Sequence, residues 1–546
     1  MQKNRFTLVL LILSIFGYGL FTYASVRNSR LLPNIASFSP QQAVTIAESF
    51  ATSQNLIKDI GEFQSAVGFE YYKNEVAFVT ANQGQQQAHD YYQKHNLPLL
   101  TYNVRFFKEL EQDQAYISVD TETGSVIDFH TKLSDKTARK SLSRAQASEL
   151  ALAFAKTMDF DQRILEEQYY SSQKVKQRFD HHFVFKIKST EIDSEWGKTH
   201  RQIKTSILGD RVGSFTSQIL VPESFITSIS IEKNNGQLLA ILSALAILVM
   251  FIIATTILIR QFIATKVHWK LFGYVSISLV GVFTIDFINE AGLTIYRYNT
   301  DLSYAAFFGS EYAFALIVVM VVGIVTFVTG TAGNAIYETT WGNKAPFALE
   351  EIKANVTSSI LTAYSITGLP LGLTTITYLL GEKYLDVWAM ADVLPFDFLL
   401  APVPFLSILV VPCLLAPFSE ELMFRLFGIS FFKKYIKSTW VAILIPTMIW
   451  ALAHSDYPVF PYYFRVIELT LAGSLLGFFF FRYGIVTVIA VHYLFNALQF
   501  APVALARGSV YVIGSEILVL LLPLLVAWLL LWRNSKPYRT RNNEQI

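Results

Sequence analysis

The sequence predicts a polytopic α-helical membrane protein of about ten spans, with an α+β extracytoplasmic domain made of two repeats. Three observations predict it. The 546-residue chain is 52% hydrophobic and 16% charged, with a mean hydropathy of +0.38, too apolar for a soluble globular protein. The apolar residues are unevenly spread: residues 30–235 have the composition of a soluble domain, whereas most of 238–532 reads as membrane. Within 30–235, a helix-patterned segment recurs at an offset of 104 residues. The formal net charge of +2 argues against a nucleic-acid partner. Cys413 is the single cysteine and lies in an apolar run, so the soluble part holds no disulfide.

The chain opens with Lys3 and Arg5, then an apolar run from Phe6 to about Tyr23. That run exceeds the roughly 7–15 residues of a cleavable signal core, so 1–28 reads as an uncleaved membrane anchor. "YAS" (23–25) is a weak cleavage site for the alternative, a signal peptide.

Residues 30–135 and 136–237 are then two repeats. "SPQQAVTIAESFA" (39–51) aligns with "SRAQASELALAFA" (143–155), with Ser39, Gln42, Ala43, Ala47, Phe50 and Ala51 matched by identical residues. The apolar spacing is helical, and the leading serines are N-caps. Each unit closes on a strand–turn–strand signal, "AYISVDTETGSVIDF" (115–129) and "SISIEKNNGQLLA" (228–240). This helix plus terminal hairpin resembles the PepSY family of extracytoplasmic modules. The resemblance implies a domain that modulates a peptidase.

From 238 onward, nine apolar runs have spanning length: about 238–259, 271–289, 312–332, 357–380, 398–431, 439–454, 463–481, 484–502 and 513–532. With the anchor they make ten spans. The first three are additional helices within 238–354, and the rest form a core over 355–532. The positive-inside rule places Lys3, Arg5, Arg260, Lys266, His268, Lys270, Lys344, Lys353, Lys433, Lys434, Lys437, Arg482 and the basic tail 533–546 in the cytoplasm. Residues 30–235 are then outside, as is the acidic loop 382–397, and the protein is a multi-pass protein of the cell membrane.

Ionisable groups in a bilayer mark function by default. The last third of the chain concentrates them: Glu420, Glu421 and Arg425 in "SEELMFRLFG", His454 in "WALAH", His492 and Asn496 in "HYLFN". Counting from the basic marks at about 1.5 Å per residue puts Glu420, His454 and His492 roughly 20, 25 and 15 Å deep, close to one level near mid-membrane. His492 and Asn496 share a helix face, and Glu421 can pair with Arg425 one turn on. Glu420 points elsewhere and is left for chemistry. Pro412 and Pro417 loosen its helix and open space.

A carboxylate and a histidine can activate water as a general base, while a second histidine and an amide can donate to an oxyanion. There is no Gly-x-Ser-x-Gly and no His-Glu-x-x-His. Glu420, His454 and His492 would also suit zinc, so the metal is left open. The metal-free route ranks first, because no acidic partner stands out to orient either histidine. Asp286, Glu468 and Glu516 read as interfacial or locally hydrogen-bonded. "FFKKYIK" (431–437) reads as a topology determinant, and Phe478–Phe481 as lipid-facing bulk.

Glu-Glu-x-x-x-Arg, aromatic-x-x-x-His and His-x-x-x-Asn, in that order on successive spans, resemble the motifs of the CPBP family. This is the Abi or CAAX-protease family, related to the type II CAAX prenyl endopeptidases. The resemblance covers about 355–532. It implies that Glu420 and His454 activate water, that His492 and Asn496 form the oxyanion site, and that Glu421, Arg425 and Trp450 support them. Two positions depart from the pattern: Trp450 replaces the usual Phe, and Leu426 the usual Gly. The function expected is an intramembrane endopeptidase acting on a peptide or membrane-protein substrate. The rival is a non-proteolytic scaffold or immunity-type protein of the same fold. A proton-relay transporter ranks third, since no duplicated membrane half is visible.

Overall fold

The computed structural model describes residues 2–28, 38–95, 97–264, 269–342, 349–389, 399–507 and 509–535. Lys266, His268, Lys344, the end of the 382–397 loop and most of the basic tail lie outside the described residues.

Helix α1 (Gln2–Asn28) precedes the sheet domain. The first repeat comprises α2 (Pro40–Ser53), β1 (Gln64–Tyr71), α3 (Lys73–Gln83), α4 (Gln85–Lys94), β2 (Leu100–Phe107), β3 (Gln114–Asp120) and β4 (Val126–Lys132). The second comprises α5 (Arg144–Thr157), β5 (Leu165–Val175), β6 (Arg178–Ile187), a small hairpin of β7 (Ile192–Ser194) and β8 (Gly197–Thr199), β9 (Arg201–Leu208) and β10 (Arg211–Ile219). The recurring sequence is therefore a recurring fold: one helix, then a four-stranded antiparallel meander. The meanders join edge to edge in the order β1-β2-β3-β4-β10-β9-β6-β5, with Phe129 opposite Phe215 at the seam. Ser39 and Ser143 both form capping boxes with the glutamine three residues on, Gln42 and Gln146. Ala43, Ala47 and Ala51 of α2 and Ala147, Ala151 and Ala155 of α5 are buried in one core with Ile117, Phe129, Ile203 and Phe215.

The second closing hairpin is not at 228–240. It is β9–β10, and residues 228–240 lie inside helix α6 (Glu223–Ile263). Local alternation around Asn-Asn-Gly gave the strand signal, but the segment runs directly into an apolar stretch that must be helical to cross a membrane.

The remaining helices are α7 (Lys270–Asn289), α8 (Ala291–Tyr296), α9 (Tyr304–Trp341), α10 (Leu349–Ile366) and α11 (Gly368–Tyr384). A two-residue strand β11 (Trp388–Ala389) precedes a composite helix over Pro404–Tyr435. That helix alternates α12 (Pro404–Ile408), a π-helical stretch (Leu409–Leu415), α13 (Ala416–Glu420), a second π stretch (Glu421–Ile429) and α14 (Ser430–Tyr435). Then follow α15 (Thr439–Leu452), β12 (Val459–Phe460), α16 (Tyr463–Tyr483), α17 (Ile485–Arg507) and α18 (Val510–Ser535).

Among the described residues, nine helices are long and apolar enough to cross a membrane, with α10 and α11 counted as one. The tenth expected span, 439–454, is the 14-residue apolar α15, about 21 Å long and shorter than the other nine. Polar "HSDYP" (454–458) ends it, and His454 sits just past its C-terminus. Helix α1 packs on α11 so closely that a Cβ on Gly17 would strike the Gly368 carbonyl. The sheet domain is tied to the bundle by hydrogen bonds from Arg105 Nη1 to the Tyr296 carbonyl, from Gln114 to Thr300 and from the Tyr304 N–H to Glu109, each 2.8 Å.

Candidate active site

The composite helix carries Glu420 and Glu421 at the junction of α13 and its second π stretch. Proline causes the irregularity before it. The N–H of Ala416 bonds to the Val411 carbonyl, five residues back. In that register the Pro412 carbonyl needs the N–H of residue 417, and Pro417 has none. Asn496 on α17 satisfies it, with Nδ2 donating to the Pro412 carbonyl at 2.7 Å. One amide hydrogen of Asn496 is thus committed, and among the described residues the other meets no acceptor.

Glu421 and Arg425 are fully buried and paired, with Nη1 to Oε1 at 3.0 Å. The guanidinium lies 4.6 Å from the centre of the Trp450 ring. The same Glu421 oxygen accepts from His492 Nδ1 at 2.7 Å. The expectation that no acidic residue orients a histidine is therefore corrected. Glu421 orients His492, and the ground for ranking a metal-free route first lapses.

Glu420 Oε2 accepts from Trp450 Nε1 at 2.5 Å, while its Oε1 is 3.9 Å from His454 Nε2 and its Oε2 is 4.0 Å from His492 Nε2. The Trp-for-Phe departure thus supplies a donor that phenylalanine lacks. His454 Nδ1 lies 2.8 Å from the Trp450 carbonyl, which can only accept, so Nδ1 carries the hydrogen. Nε2 of a neutral His454 is then a lone pair facing Glu420. His492 is held the same way, and its Nε2 donates only when the ring carries both protons. Leu426, the other departure, is accommodated where α9 has Gly333, whose added Cβ would lie 2.9 Å from the leucine Cγ.

Glu420, Trp450, His454, His492 and Asn496 all line one cavity of about 1480 Å³. The loop after His454 is bound to the sheet-domain end of α6, with Ser455 Oγ donating to the Gly236 carbonyl at 2.7 Å and the Tyr462 N–H to Glu232 at 2.9 Å. Among the described residues, no group of three or more His, Cys, Asp or Glu is spaced to hold a metal ion.

Two cavity residues were not anticipated. Tyr457 stacks on His454, with ring centres 5.5 Å apart, and Arg465 lies over Tyr457 at 5.4 Å. Arg465 is a charge in the first turn of an apolar helix, and the rule that singled out Glu420 would have found it. Arg465 and Thr374 both bond to Glu468, at 2.7 Å each, and Asn289 and Ser407 donate to Asp286. Glu516, expected to be interfacial or locally hydrogen-bonded, is buried with no partner for either oxygen among the described residues.

Residues 402–498 match the family model described as Type II CAAX prenyl endopeptidase Rce1-like. No curated protein matches the chain. No solved structure matches it either.

Proposed function

From the premise that residues 402–498 form a CAAX-protease domain of the Rce1-like family, we propose that the protein is an intramembrane endopeptidase that cleaves with a water activated by Glu420 and His454. The observation that carries this reading is the meeting of the Glu420 carboxylate with two histidine nitrogens, at 3.9 and 4.0 Å, on the wall of one large cavity.

A water between Glu420 Oε1 and His454 Nε2 donates one hydrogen to each, which turns its lone pair toward a scissile carbonyl. As the oxygen attacks, Glu420 takes a proton. The free hydrogen of Asn496 meets the developing oxyanion, joined by His492 Nε2 when that ring is doubly protonated. The proton then passes to the departing amine as the C–N bond breaks. Trp450 fixes the Glu420 carboxylate, while Arg425 and Glu421 fix Trp450 and His492. The domain at 30–235 faces the extracytoplasmic side and governs access.

The test compares new peptide termini in membranes holding wild type, Glu420→Gln or His454→Ala. Cleavages present with wild type and lost with both variants support the proposal. Equal cleavage by all three overturns it.

A further inference from the structure

The cavity extends beyond the membrane helices. Ala77, Thr80, Ala81, Gly84 and Gln87, all in or between α3 and α4, line the same space as Glu420, His454 and His492. The two repeats differ here, as they also do at the β7–β8 hairpin. Between its first and second strands the second repeat has a tight turn at Lys176, whereas the first inserts residues 72–99. A turn suffices for the sheet, so the sheet itself does not require the insertion.

Its seating shows what the insertion is placed against. Phe78 packs edge-on against Phe225, at the start of α6, with centres 5.4 Å apart. Phe225 stacks on Trp388 at 6.2 Å, and Trp388 packs on Phe460 at 4.7 Å. Phe460 lies in β12, the strand that follows the His454 loop. Glu75 fixes the first turn of α3 by accepting from the Ile219 N–H at 2.9 Å. Through Phe225 and Trp388 the insertion thus packs in one apolar cluster with Phe460, and Ala77, Thr80, Ala81 and Gly84 give its cavity face mostly small side chains.

The side of entry follows from α6. From Gly236, bonded to Ser455, to Arg260 is a run of helix about 36 Å long, more than the roughly 30 Å of hydrocarbon. Arg260 lies at the far end of α6 from the sheet domain. The Arg482 end shares that side, because Trp341, at the far end of α9, packs on Phe481 at 5.0 Å. The site thus opens at the sheet-domain end. At about 1480 Å³ the cavity also exceeds the roughly 300–1,000 Å³ of small-molecule sites.

We propose that the α3–α4 insertion is one wall of the substrate site, and that the substrate is an extracytoplasmic polypeptide segment entering between the sheet domain and the helices. This rests on the endopeptidase reading, and the experiment has two arms so that the two can fail separately. In the first, Gln499→Cys, a cavity position outside the proposed chemistry, is labelled in sealed vesicles with a membrane-impermeant maleimide. Wild type, whose single Cys413 is fully buried, is the blank. Labelling from the sheet-domain face is expected, slowed by Thr80→Trp. Labelling only from the Arg482 face overturns the route.

In the second arm, new termini are compared for wild type, Glu420→Gln, Thr80→Trp and Gln87→Trp, the last guarding against a folding defect at position 80. Glu420-dependent cuts in extracytoplasmic segments are expected, falling by roughly tenfold or changing position in the tryptophan variants. Cuts confined to cytoplasmic segments, or tryptophan variants that cut the same sites equally fast, overturn the proposal. If no Glu420-dependent cut is found, the endopeptidase reading and the substrate assignment fall together, while the labelling still decides the route.

Discussion

His492 Nδ1 donates to Glu421 Oε1 across 2.7 Å, and that oxygen also accepts from Arg425. One buried carboxylate oxygen thus fixes a ring and a guanidinium on different helices. Glu421→Ala leaves a buried cation without its partner and is expected to cost about 3–5 kcal/mol. Glu421→Gln keeps the shape and an accepting oxygen, so it should cost less stability than alanine, but it loses the charge that holds the His492 tautomer. Thermal unfolding in detergent, measured beside cleavage, should separate them: alanine loses both properties, glutamine mainly cleavage.

Trp450→Phe restores the residue usual in the motif and removes the indole donor to Glu420. A hydrogen bond to a charged group contributes about 1.5–3 kcal/mol to stability, so the unfolding free energy is expected to fall by up to that amount and cleavage, with the carboxylate no longer fixed, to fall roughly 10–100-fold. Wild-type rates in the phenylalanine variant would mean that the indole N–H is incidental.

Asn496 has a structural partner separable from chemistry. Asn496→Ala strips the Pro412 carbonyl of its donor and should cost about 1–3 kcal/mol. Pro417→Ala returns an N–H to the helix, so the same alanine should cost less in that background. A double-mutant cycle on unfolding free energy reads this coupling. Cleavage should stay low in the double variant, because the second amide hydrogen is still missing.

The sheet domain should weaken as pH rises. Burial pushes the Glu75 carboxyl from 4.5 up to about 7 and the Asp128 carboxyl from 3.8 up to about 6. Between the unfolded and folded values, the folded domain holds protons that the unfolded chain has released. Stability is therefore full below about pH 4 and is lost as pH climbs through 6 and 7. Hydrogen exchange of β3 and β4 amides in the intact protein should be better protected, relative to intrinsic rates, at pH 5 than at pH 8. Glu75→Gln should flatten that difference.

The duplicated helix was legible because Ser-x-x-Gln caps and alanine periodicity are local signals, repeated at 39–51 and 143–155. That Glu420, His454 and His492 share a cavity could be anticipated because ionisable groups stand out in apolar runs, and the Glu421–Arg425 pair because one helical turn joins them. Partnerships between distant segments were not. Nothing local ties Asn496 to Pro412, Glu421 to His492 or Trp450 to Glu420, since packing of separate helices makes those pairs. The 228–240 misreading has the same origin: a short alternating stretch was weighed without the membrane helix into which it runs.

Helix α6 leaves the sheet domain at Glu223, holds the His454 loop through Glu232 and Gly236, and continues unbroken to Ile263. Without a joint between its outer turns and its span, it has little means of absorbing a tilt imposed at one end. A ligand that rocked the sheet domain would swing the Ser455 anchor with it and widen or narrow the gap between His454 and Glu420. Occupancy of the sheet domain would then be felt at the Glu420 carboxylate as a change in distance.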